Sequence, residues 1–355
     1  MRESKGIIRL APTDLSNFLG CRHLTGLDLQ ALKLGNKRPA RYGPMIDALR
    51  ERGIAHEKAY LEELRKQGLS ISDGPEDEPS SETISRTEKA MSDGVDVVFQ
   101  AALSDDTWSG RADFLRKVDA HSELADWSYE PIDTKLAQDT KAGTILQLCV
   151  YAYLLGKQQG KVPEHMHVVT RRDGGTLESY RTDDYAAYFR LLERGVGQFI
   201  SHPANTYPDM VSHCDICVWW DTCEKRRRGD DHLCYVAGIS KQQIQFLKEV
   251  GVDKLADFAA LDDVPKPPSG SIEALQRSRD QARAQWRGRE QGSPYHELKE
   301  PFDQEHGLSY LPETTPDDIF IDIEVNHIAE VGVQEYLTCY VTKKKLETFK
   351  YTKIW

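Results

Sequence analysis

Three cysteines stand within ten residues of one another in the segment SHCDICVWWDTCEKRR, which covers residues 212–227. Cys214 and Cys217 are separated by two residues, and Cys223 follows after five more. The N-terminus lacks the apolar stretch of a signal peptide, so we expect a cytoplasmic chain whose thiols stay reduced. Clustered thiols in that setting indicate a metal site or catalysis before disulfides. Three thiolates are one short of a closed four-ligand site, so the segment requires a further ligand from elsewhere in the fold.

The composition limits the class of protein. The chain has 355 residues, which favours two or three domains. Hydrophobic residues make up 39% and charged residues 29%, as in soluble globular proteins, and no apolar run is long enough to span a membrane. The net charge of -11 does not by itself indicate a nucleic-acid-binding protein. It does not exclude a nuclease, because such an enzyme can confine its basic residues to one groove.

Helical and strand patterns alternate along the first part of the chain. Helices are predicted over residues 12–33, 45–66, 142–160 and 183–201. Strands are predicted over residues 95–103, 107–118, 129–137 and 164–175, the last one running into a turn. The acidic stretch 72–85 is predicted to be a loop, and Thr13 or Asp14 to cap the first helix. Strands in the middle with helices on either side indicate an α/β core.

Two strand segments carry polar residues in a pattern that suits metal-dependent phosphodiester hydrolysis. The sequence GRADFL places Asp113 on a strand, and YEPIDTKLA places Asp133 and Lys135 two residues apart, on one strand face. Hydrolysis of a phosphodiester requires hard oxygen ligands for Mg2+ or Mn2+ and a group that orients or polarises the attacking water. These three residues supply both. Taken alone, the Asp-x-Lys tripeptide is more often a surface ion pair.

Polar residues on two helices extend this pattern. Gln147 and Tyr151 lie four residues apart on one face of an otherwise apolar helix, which indicates that this face meets something polar. The alternative interpretation is a half-exposed glutamine beside a core tyrosine. His56 lies near the middle of the second predicted helix, where a lone histidine is more often structural.

The ordered polar residues resemble the RecB-like branch of the PD-(D/E)xK nucleases. The matching residues, in chain order, are His56, Asp113, Asp133, Lys135, Gln147 and Tyr151. Cys21 upstream and the three clustered cysteines downstream resemble the iron–sulfur version of this branch, which includes the CRISPR-associated adaptation exonucleases and AddB-type nucleases. The resemblance covers residues 10–235 and implies a restriction-endonuclease-like α/β core surrounded by helices.

The resemblance implies that Cys21 is the fourth ligand of a [4Fe–4S] cluster, which takes four thiolates. With the three clustered cysteines it would tie the two ends of the nuclease domain together. Zinc is the competing metal, because four cysteine thiolates also suit tetrahedral Zn2+. The alternative fourth ligands within the chain are Cys234, Cys149 and His213. Of these, Cys149 lies among apolar residues, as a packed core thiol does.

The resemblance also assigns roles around a divalent metal. The implied ligands of Mg2+ or Mn2+ are His56, Asp113, Asp133 and the carbonyl of Thr134. Lys135 would orient the nucleophilic water or stabilise the charge that develops on the phosphate. Gln147 and Tyr151 would position the lysine or the substrate strand.

The rest of the chain has a different character. Residues 236–292 contain short helical patterns broken at Gly251 and resemble a helix-hairpin-helix segment, with a plain helical linker as the alternative. Within residues 293–355, IFIDIEVNH resembles the first motif of RNase H-like exonucleases and places Asp322 and Glu324 on one strand face. Only about thirty residues follow Glu324, so we expect a partial RNase H-like strand region without nuclease activity of its own.

The predicted function is that of a metal-dependent deoxyribonuclease, exonuclease-like in its action on single-stranded DNA, with a structural [4Fe–4S] cluster in domain 1–235. The expected partners are DNA and a helicase. One alternative is a catalytically silent subunit that binds nucleic acid or assembles a complex and retains the nuclease fold. Another is a zinc-binding structural protein, which would leave the ordered polar residues unexplained.

Overall fold

The computed structural model describes residues 1–4, 6–40, 44–74, 80–172, 175–298, 310–315, 317–326 and 334–342. The chain divides into two compact units, Met1–Tyr235 and Val236–Trp355. The first unit contains the residues predicted to form the nuclease site and the cysteine cluster. The second unit contains the predicted helical segment and the predicted RNase H-like strand region, part of which lies outside the described residues.

Helices and strands alternate along the first unit. Its helices are α1 Pro12–Gly20, α2 Arg22–Lys33, α3 Pro44–Lys66, α4 Ser80–Ser92, α5 Ala142–Gln158, α6 Thr182–Ser201 and α7 Trp220–Gly229. Its strands are β1 Arg2–Ser4, β2 Ile7–Arg9, β3 Ile71–Ser72, β4 Val97–Ser104, β5 Ser109–Val118, β6 Ser128–Thr134, β7 His165–Thr170 and β8 Thr176–Arg181. Short 3-10 helices cover Ser212–Ile216 and Leu233–Tyr235.

Six of these strands form one mixed sheet in the order β3-β4-β5-β6-β7-β8. The pairs β4–β5, β5–β6 and β7–β8 are antiparallel, whereas β3–β4 and β6–β7 are parallel. Parallel neighbours cannot be joined by a tight turn, and helix α5 lies in the connection between β6 and β7. The first unit is therefore a mixed α/β structure, as the order of the sequence patterns predicted.

Apolar residues cover both faces of this sheet. Helices α1, α5 and α6 contribute to one core, which includes the fully buried Leu148 of α5. Helix α3 contributes to a second core, in which Leu61 and Leu64 cluster with the strand residues Phe114 and Ile132. Both cores draw on the same strands, because successive strand residues point to opposite faces of the sheet. Because Leu61 and Leu64 are buried in this core, one side of α3 faces the strands that carry the predicted metal ligands.

The helix predicted over residues 12–33 is in fact two helices that meet at Cys21, so that prediction is wrong in its continuity. Cys21 has an extended backbone with φ -163° and ψ 108°. Its N–H donates to the carbonyl of Asn17 and ends α1, and its Sγ accepts from the N–H of Leu24 at 3.4 Å at the start of α2. Helix α1 starts with Ala11 as its cap, and Asp14 inside the first turn accepts from the Ala11 N–H at 2.8 Å.

The stretch 72–85, predicted to be a loop, contains the start of helix α4, and the structure describes that helix from Ser80 onward. Its buried side is formed by Thr83, Thr87, Ala90 and Met91, at helical spacing. The two threonines conceal the apolar period in the sequence. They are satisfied by hydrogen bonds, because Thr87 Oγ1 donates to the Thr83 carbonyl at 2.8 Å and accepts from the Ala102 N–H at 3.1 Å.

Gly110 lies where β5 passes close to the start of α1 and to α5. A Cβ at this position would lie 2.7 Å from the Pro12 ring and 3.0 Å from the Tyr151 ring. We therefore expect Gly110→Ala to destabilise the protein by about 1–3 kcal/mol, as overpacking in a core does. Chemical denaturation followed by circular dichroism measures this change.

Gly197 provides a matched control for that substitution. It lies within α6, where no atom lies within 4 Å of an added Cβ. Gly197→Ala should leave stability unchanged or raise it by up to about 1 kcal/mol, because alanine is the better helix former. Equal stability of the Gly110→Ala variant and the wild type would contradict the packing described for β5.

The second unit consists of helices followed by a hairpin. Its helices are α8 Lys241–Glu249, α9 Leu255–Ala260 and α10 Ile272–Gln291, and its strands are β9 Ile319–Asn326 and β10 Gln334–Thr342. Helices α8 and α9 are separated at Gly251, as predicted. Strands β9 and β10 form an antiparallel pair, in which Asp322 and Glu324 are exposed. None of the helices in the described part of the chain has the length and apolarity needed to cross a membrane.

Candidate functional site

The predicted carboxylates lie on adjacent strands. Strand β5 pairs with β6 in a register that joins Phe114 to Ile132, and this register sets Asp113 opposite Asp133. The N–H and the Oγ1–H of Thr134 both donate to Asp113 Oδ2 at 2.8 Å. These two bonds orient the Asp113 carboxylate toward the end of β6. The structure thus brings Asp133 and Thr134, at the end of β6, together with Asp113 in the middle of β5.

Lys135 follows directly after β6, rather than lying on the strand as predicted. Its backbone still continues the ladder, since its N–H donates to the carbonyl of Val169 on β7 at 2.9 Å. Its Nζ lies 2.5 Å from Asp133 Oδ2. Burial by itself would lower the pKa of Lys135, but the carboxylates of Asp133, Asp113 and Glu57 raise it above the ordinary value. The charged form of Lys135 is therefore stabilised by these acidic side chains.

Asp133 is the most deeply buried acid of this group, with 4% of its surface exposed. Burial and the neighbouring charge of Asp113 raise its pKa and Lys135 offsets part of this shift, so that the pKa of Asp133 lies at about 7. Its buried Oδ2 pairs with the Lys135 ammonium at 2.5 Å. A buried carboxylate that already pairs with one cation suits a metal ion as well, since carboxylate oxygen is a preferred ligand of divalent metals.

His56 reaches the same region from helix α3. Its Nε2 lies 3.2 Å from the carbonyl oxygen of Val169, which also accepts from the N–H of Lys135. A carbonyl can only accept, so Nε2 is the donor in this bond and Nδ1 takes no part in it. Metal-binding histidines commonly have this arrangement, in which one ring nitrogen donates to a backbone carbonyl and the other remains free for the metal.

Tyr151 and Gln147 lie on α5, one turn apart. Tyr151 is buried, and its hydroxyl donates to the carbonyl of Arg111 on β5 at 2.7 Å. Burial raises its pKa, and the charges of Asp133 and Asp113 raise it further. Tyr151 therefore binds β5 two residues before Asp113. Gln147 is half-buried, and the polar contacts described for these carboxylates do not include it.

Two polar residues that were absent from the sequence prediction also lie at this site. Gln100 of β4 donates from its side-chain amide to Glu57 of α3. Burial and the charge of Asp113 raise the pKa of Glu57 and Gln100 and Lys135 offset part of the shift, so that this pKa lies at about 7. Glu57 could have been found, because it follows His56 and lies at helical spacing from the buried Leu61. The sequence around Gln100 carries no such signal.

The four predicted cysteine ligands line one small cavity in the first unit. Cys21 lies at the break between α1 and α2, Cys214 and Cys217 lie in and after the 3-10 helix, and Cys223 lies on α7. Among the described residues, those that line it are Cys21, Leu24, Pro208, Asp209, His213, Cys214, Cys217, Trp220, Cys223 and Arg227. The fold therefore brings the N-terminal cysteine to the three that lie about two hundred residues later.

Contacts that do not involve the cysteine sulfurs also hold these segments together. The indole Nε1 of Trp219 donates to Asp28 Oδ1 of α2 at 2.7 Å, and Arg38 Nε lies 2.9 Å from the same oxygen. Arg227 is fully buried and donates to the carbonyl of Pro208 at 3.0 Å. The cysteine segment is thus attached to α2 by bonds that do not involve sulfur.

The alternative fourth ligands differ in position. Cys149 lies in the main core, where burial raises the pKa of its thiol to about 12, as expected of an inert packed cysteine. Cys234 is not among the residues that line the cavity, whereas His213 is. Within the described part of the chain, no group of three or more His, Cys, Asp or Glu side chains is arranged to hold a metal ion. Two features suit a metal centre: the four cysteines line one cavity, and thiols are suitable metal donors. The distances between their sulfur atoms are not those of a formed metal site.

Comparison with known proteins adds little to this picture. No family model and no curated protein matches the chain. Among solved structures, a crystal structure of SSO0001 is similar at a TM-score of 0.33 and 12% sequence identity. That alignment covers 63% of this chain and 88% of the other. Similarity at this level carries no argument about the activity of this chain, which has to be inferred from its own residues.

Proposed function

We propose that the first unit is a metal-dependent nuclease of the RecB-like PD-(D/E)xK type, which hydrolyses phosphodiester bonds in DNA. The observation that carries this proposal is the arrangement of Asp113 and Asp133 on adjacent strands with the Lys135 ammonium 2.5 Å from Asp133. An Asp-x-Lys pair in this position, with a second Asp on the neighbouring strand, supplies a metal site and a cation for the reacting phosphate. A surface ion pair would not be buried to this degree.

The residues that would hold Mg2+ or Mn2+ are His56, Asp113, Asp133 and the carbonyl of Thr134. The buried carboxylate of Asp133, which lies opposite Asp113 on the neighbouring strand, and the His56 ring, which is held at Nε2 by the Val169 carbonyl, support this assignment. When bound, the metal supplies positive charge to the phosphate and lowers the pKa of a water molecule. The two donors of Thr134 keep Asp113 in a single orientation before any ligand arrives.

Lys135 would act on the substrate directly. Its raised pKa keeps the ammonium protonated near neutral pH, so it can donate to a phosphate oxygen or to the attacking water. Its backbone is held by the bond to Val169 on β7, which limits the positions that the side chain can reach. Tyr151 would act as a positioning residue, because its hydroxyl supports β5 two residues before Asp113.

The four cavity cysteines would hold a structural [4Fe–4S] cluster, with zinc as the alternative. Four thiols around one cavity form the donor set of either metal centre. The preference for iron and sulfide rests on the resemblance to iron–sulfur nucleases. Such a centre would connect the break between α1 and α2 to the 3-10 helix and α7. Its role would be structural, because the carboxylates and Lys135 belong to a different set of elements.

The proposal is tested with protein purified without oxygen. We expect Mn2+-dependent loss of linear single-stranded DNA, no loss of circular single-stranded DNA, and slower loss of duplex DNA. The circular substrate separates exonuclease from endonuclease action, because it has no ends. Failure to cleave any of the three substrates with Mg2+ or Mn2+, by protein that contains a full metal centre, would refute the proposed activity.

The acidic residues of the second unit should not contribute to this cleavage. Asp322 and Glu324 are exposed on β9, and two carboxylates alone seldom hold Mg2+ without substrate phosphates. We expect the double variant Asp322→Ala, Glu324→Ala to digest linear DNA at the wild-type rate. Asp113→Ala in the same assay serves as the positive control for loss of activity. A large fall in the rate for the double variant, with the fold and metal centre preserved, would reveal a second active site.

A further inference from the structure

Gln100 has a backbone conformation that is rare for its residue type. Its φ is +49°, in the left-handed region, although it lies in the middle of strand β4. The ladder with β5 joins Phe99 to Phe114 and Ala101 to Ala112, which sets Gln100 opposite Asp113. A strained residue persists only where its surroundings determine it, and such residues concentrate at functional sites.

Helix α4 holds the backbone around Gln100. The guanidinium of Arg86 donates to the carbonyls of Phe99 and Gln100 at 3.3 and 3.5 Å, and to that of Ser72 at 3.4 Å. One cation thus binds three carbonyls on β3 and β4. These bonds stabilise a backbone turn that a regular strand would not make.

The side chain of Gln100 holds a carboxylate. Its amide donates to Glu57 Oε1, across the space between β4 and α3. Glu57 lies one helical turn before Leu61, on the side of α3 that turns toward the sheet. The charges that act on Glu57 include those of Asp113 and Lys135, so it belongs to the same group of charges as the proposed metal ligands.

We propose that Glu57 is a further ligand of the divalent metal and that Gln100 is its positioning residue. This inference rests on the proposed nuclease site. Glu57 and Asp113 are like charges in a half-buried setting, an arrangement that a bound cation stabilises. The Gln100 amide occupies Oε1 as a donor and leaves Oε2 for the metal, for which carboxylate oxygen is a preferred ligand. The strained backbone of Gln100 in β4 thus helps to position Glu57 Oε2 for the metal.

Binding of Mn2+ to the full-length protein without DNA tests the role of Glu57. Free Mn2+ is measured by electron paramagnetic resonance during titration. We expect Glu57→Gln to weaken binding by about tenfold or more, the size of effect seen when metal-site partners are lost. Glu63→Gln is the matched control, because Glu63 is an exposed carboxylate on the same helix. It should bind Mn2+ as the wild type does.

Gln100→Gly separates positioning from a structural role. Glycine accepts a positive φ, so the variant should unfold at a temperature no lower than the wild type. It lacks the amide, so Mn2+ binding should nevertheless weaken several-fold. If Gln100 served the fold alone, this variant would keep full Mn2+ affinity, and the positioning role would be wrong.

The outcomes also distinguish this inference from the proposed nuclease activity. Equal Mn2+ affinity of Glu57→Gln and Glu63→Gln would overturn the ligand assignment, even if the wild type cleaves DNA. A wild-type protein that cleaves no DNA but binds Mn2+ in a manner that depends on Glu57 would support the ligand assignment and refute the nuclease. A wild type that binds no Mn2+ would overturn the ligand assignment.

Discussion

Lys135→Ala should lower the rate of DNA cleavage by about 10²–10³-fold, the loss that follows removal of one donor to transition-state charge. The side chain contributes an ammonium 2.5 Å from Asp133 Oδ2, and the surrounding carboxylates keep it protonated. The variant should still bind DNA and retain the metal centre of the cysteines, because neither depends on this group. Single-turnover digestion of linear single-stranded DNA gives the rate, and circular dichroism checks the fold.

One indirect effect has to be separated from loss of the amine. Lys135 offsets part of the rise in the pKa of Asp133, which lies at about 7, so its removal raises that pKa further. A fraction of Asp133 would then be protonated near neutral pH and would bind metal less well. The rate is therefore followed as the pH is raised from about 7 to about 9, because protonation of Asp133 falls as the pH rises. A defect that does not shrink belongs to the amine, whereas full recovery of the rate at high pH would show that Lys135 serves only to keep Asp133 charged.

The relation between Asp113, Asp133 and Lys135 could be predicted from the sequence, because it depends on strand alternation and on the spacing of two residues within one segment. Strand alternation determines the face of the sheet to which Asp113 and Asp133 point. The antiparallel pairing of β5 and β6 then sets the two carboxylates opposite each other. For His56 the resemblance alone indicates a place at the site, since nothing in its own segment indicates the contact with Val169.

The backbone conformations of Cys21 and Gln100 required the structure for a different reason. Apolar residues on both sides of Cys21 follow one helical period, so the extended backbone that separates α1 from α2 is not visible in the pattern. At Gln100 the left-handed backbone is stabilised by Arg86, a residue of another element, and local sequence does not report such a contact. Both are cases in which tertiary contacts outweigh local preference.

Cys21→Ala should remove the proposed metal centre and cause a large fall in thermal stability. A centre that includes Cys21 and the cysteines from Cys214 onward closes a loop of about two hundred residues, which the simple chain-entropy model values at about 5 kcal/mol. Part of that link would survive in the variant, because Trp219 still bonds to Asp28 of α2 at 2.7 Å. We therefore expect a folded protein with a lowered unfolding midpoint, in contrast to Lys135→Ala.

Three measurements decide the role of Cys21: the visible absorption of the protein, its iron, sulfide and zinc content, and its unfolding midpoint. Cys234→Ala is the matched control, because Cys234 lies close in sequence to the cluster but is not among the residues that line the cavity. It should keep the metal and the wild-type midpoint. Cleavage by Cys21→Ala should fall only as far as the folded fraction falls, since the carboxylates and Lys135 lie on β5, β6 and the residue after it. Full metal content in the Cys21→Ala protein would show that another group, such as the cavity residue His213, completes the site. Zinc without sulfide in the wild-type protein would show that the centre is a zinc site and not an iron–sulfur cluster.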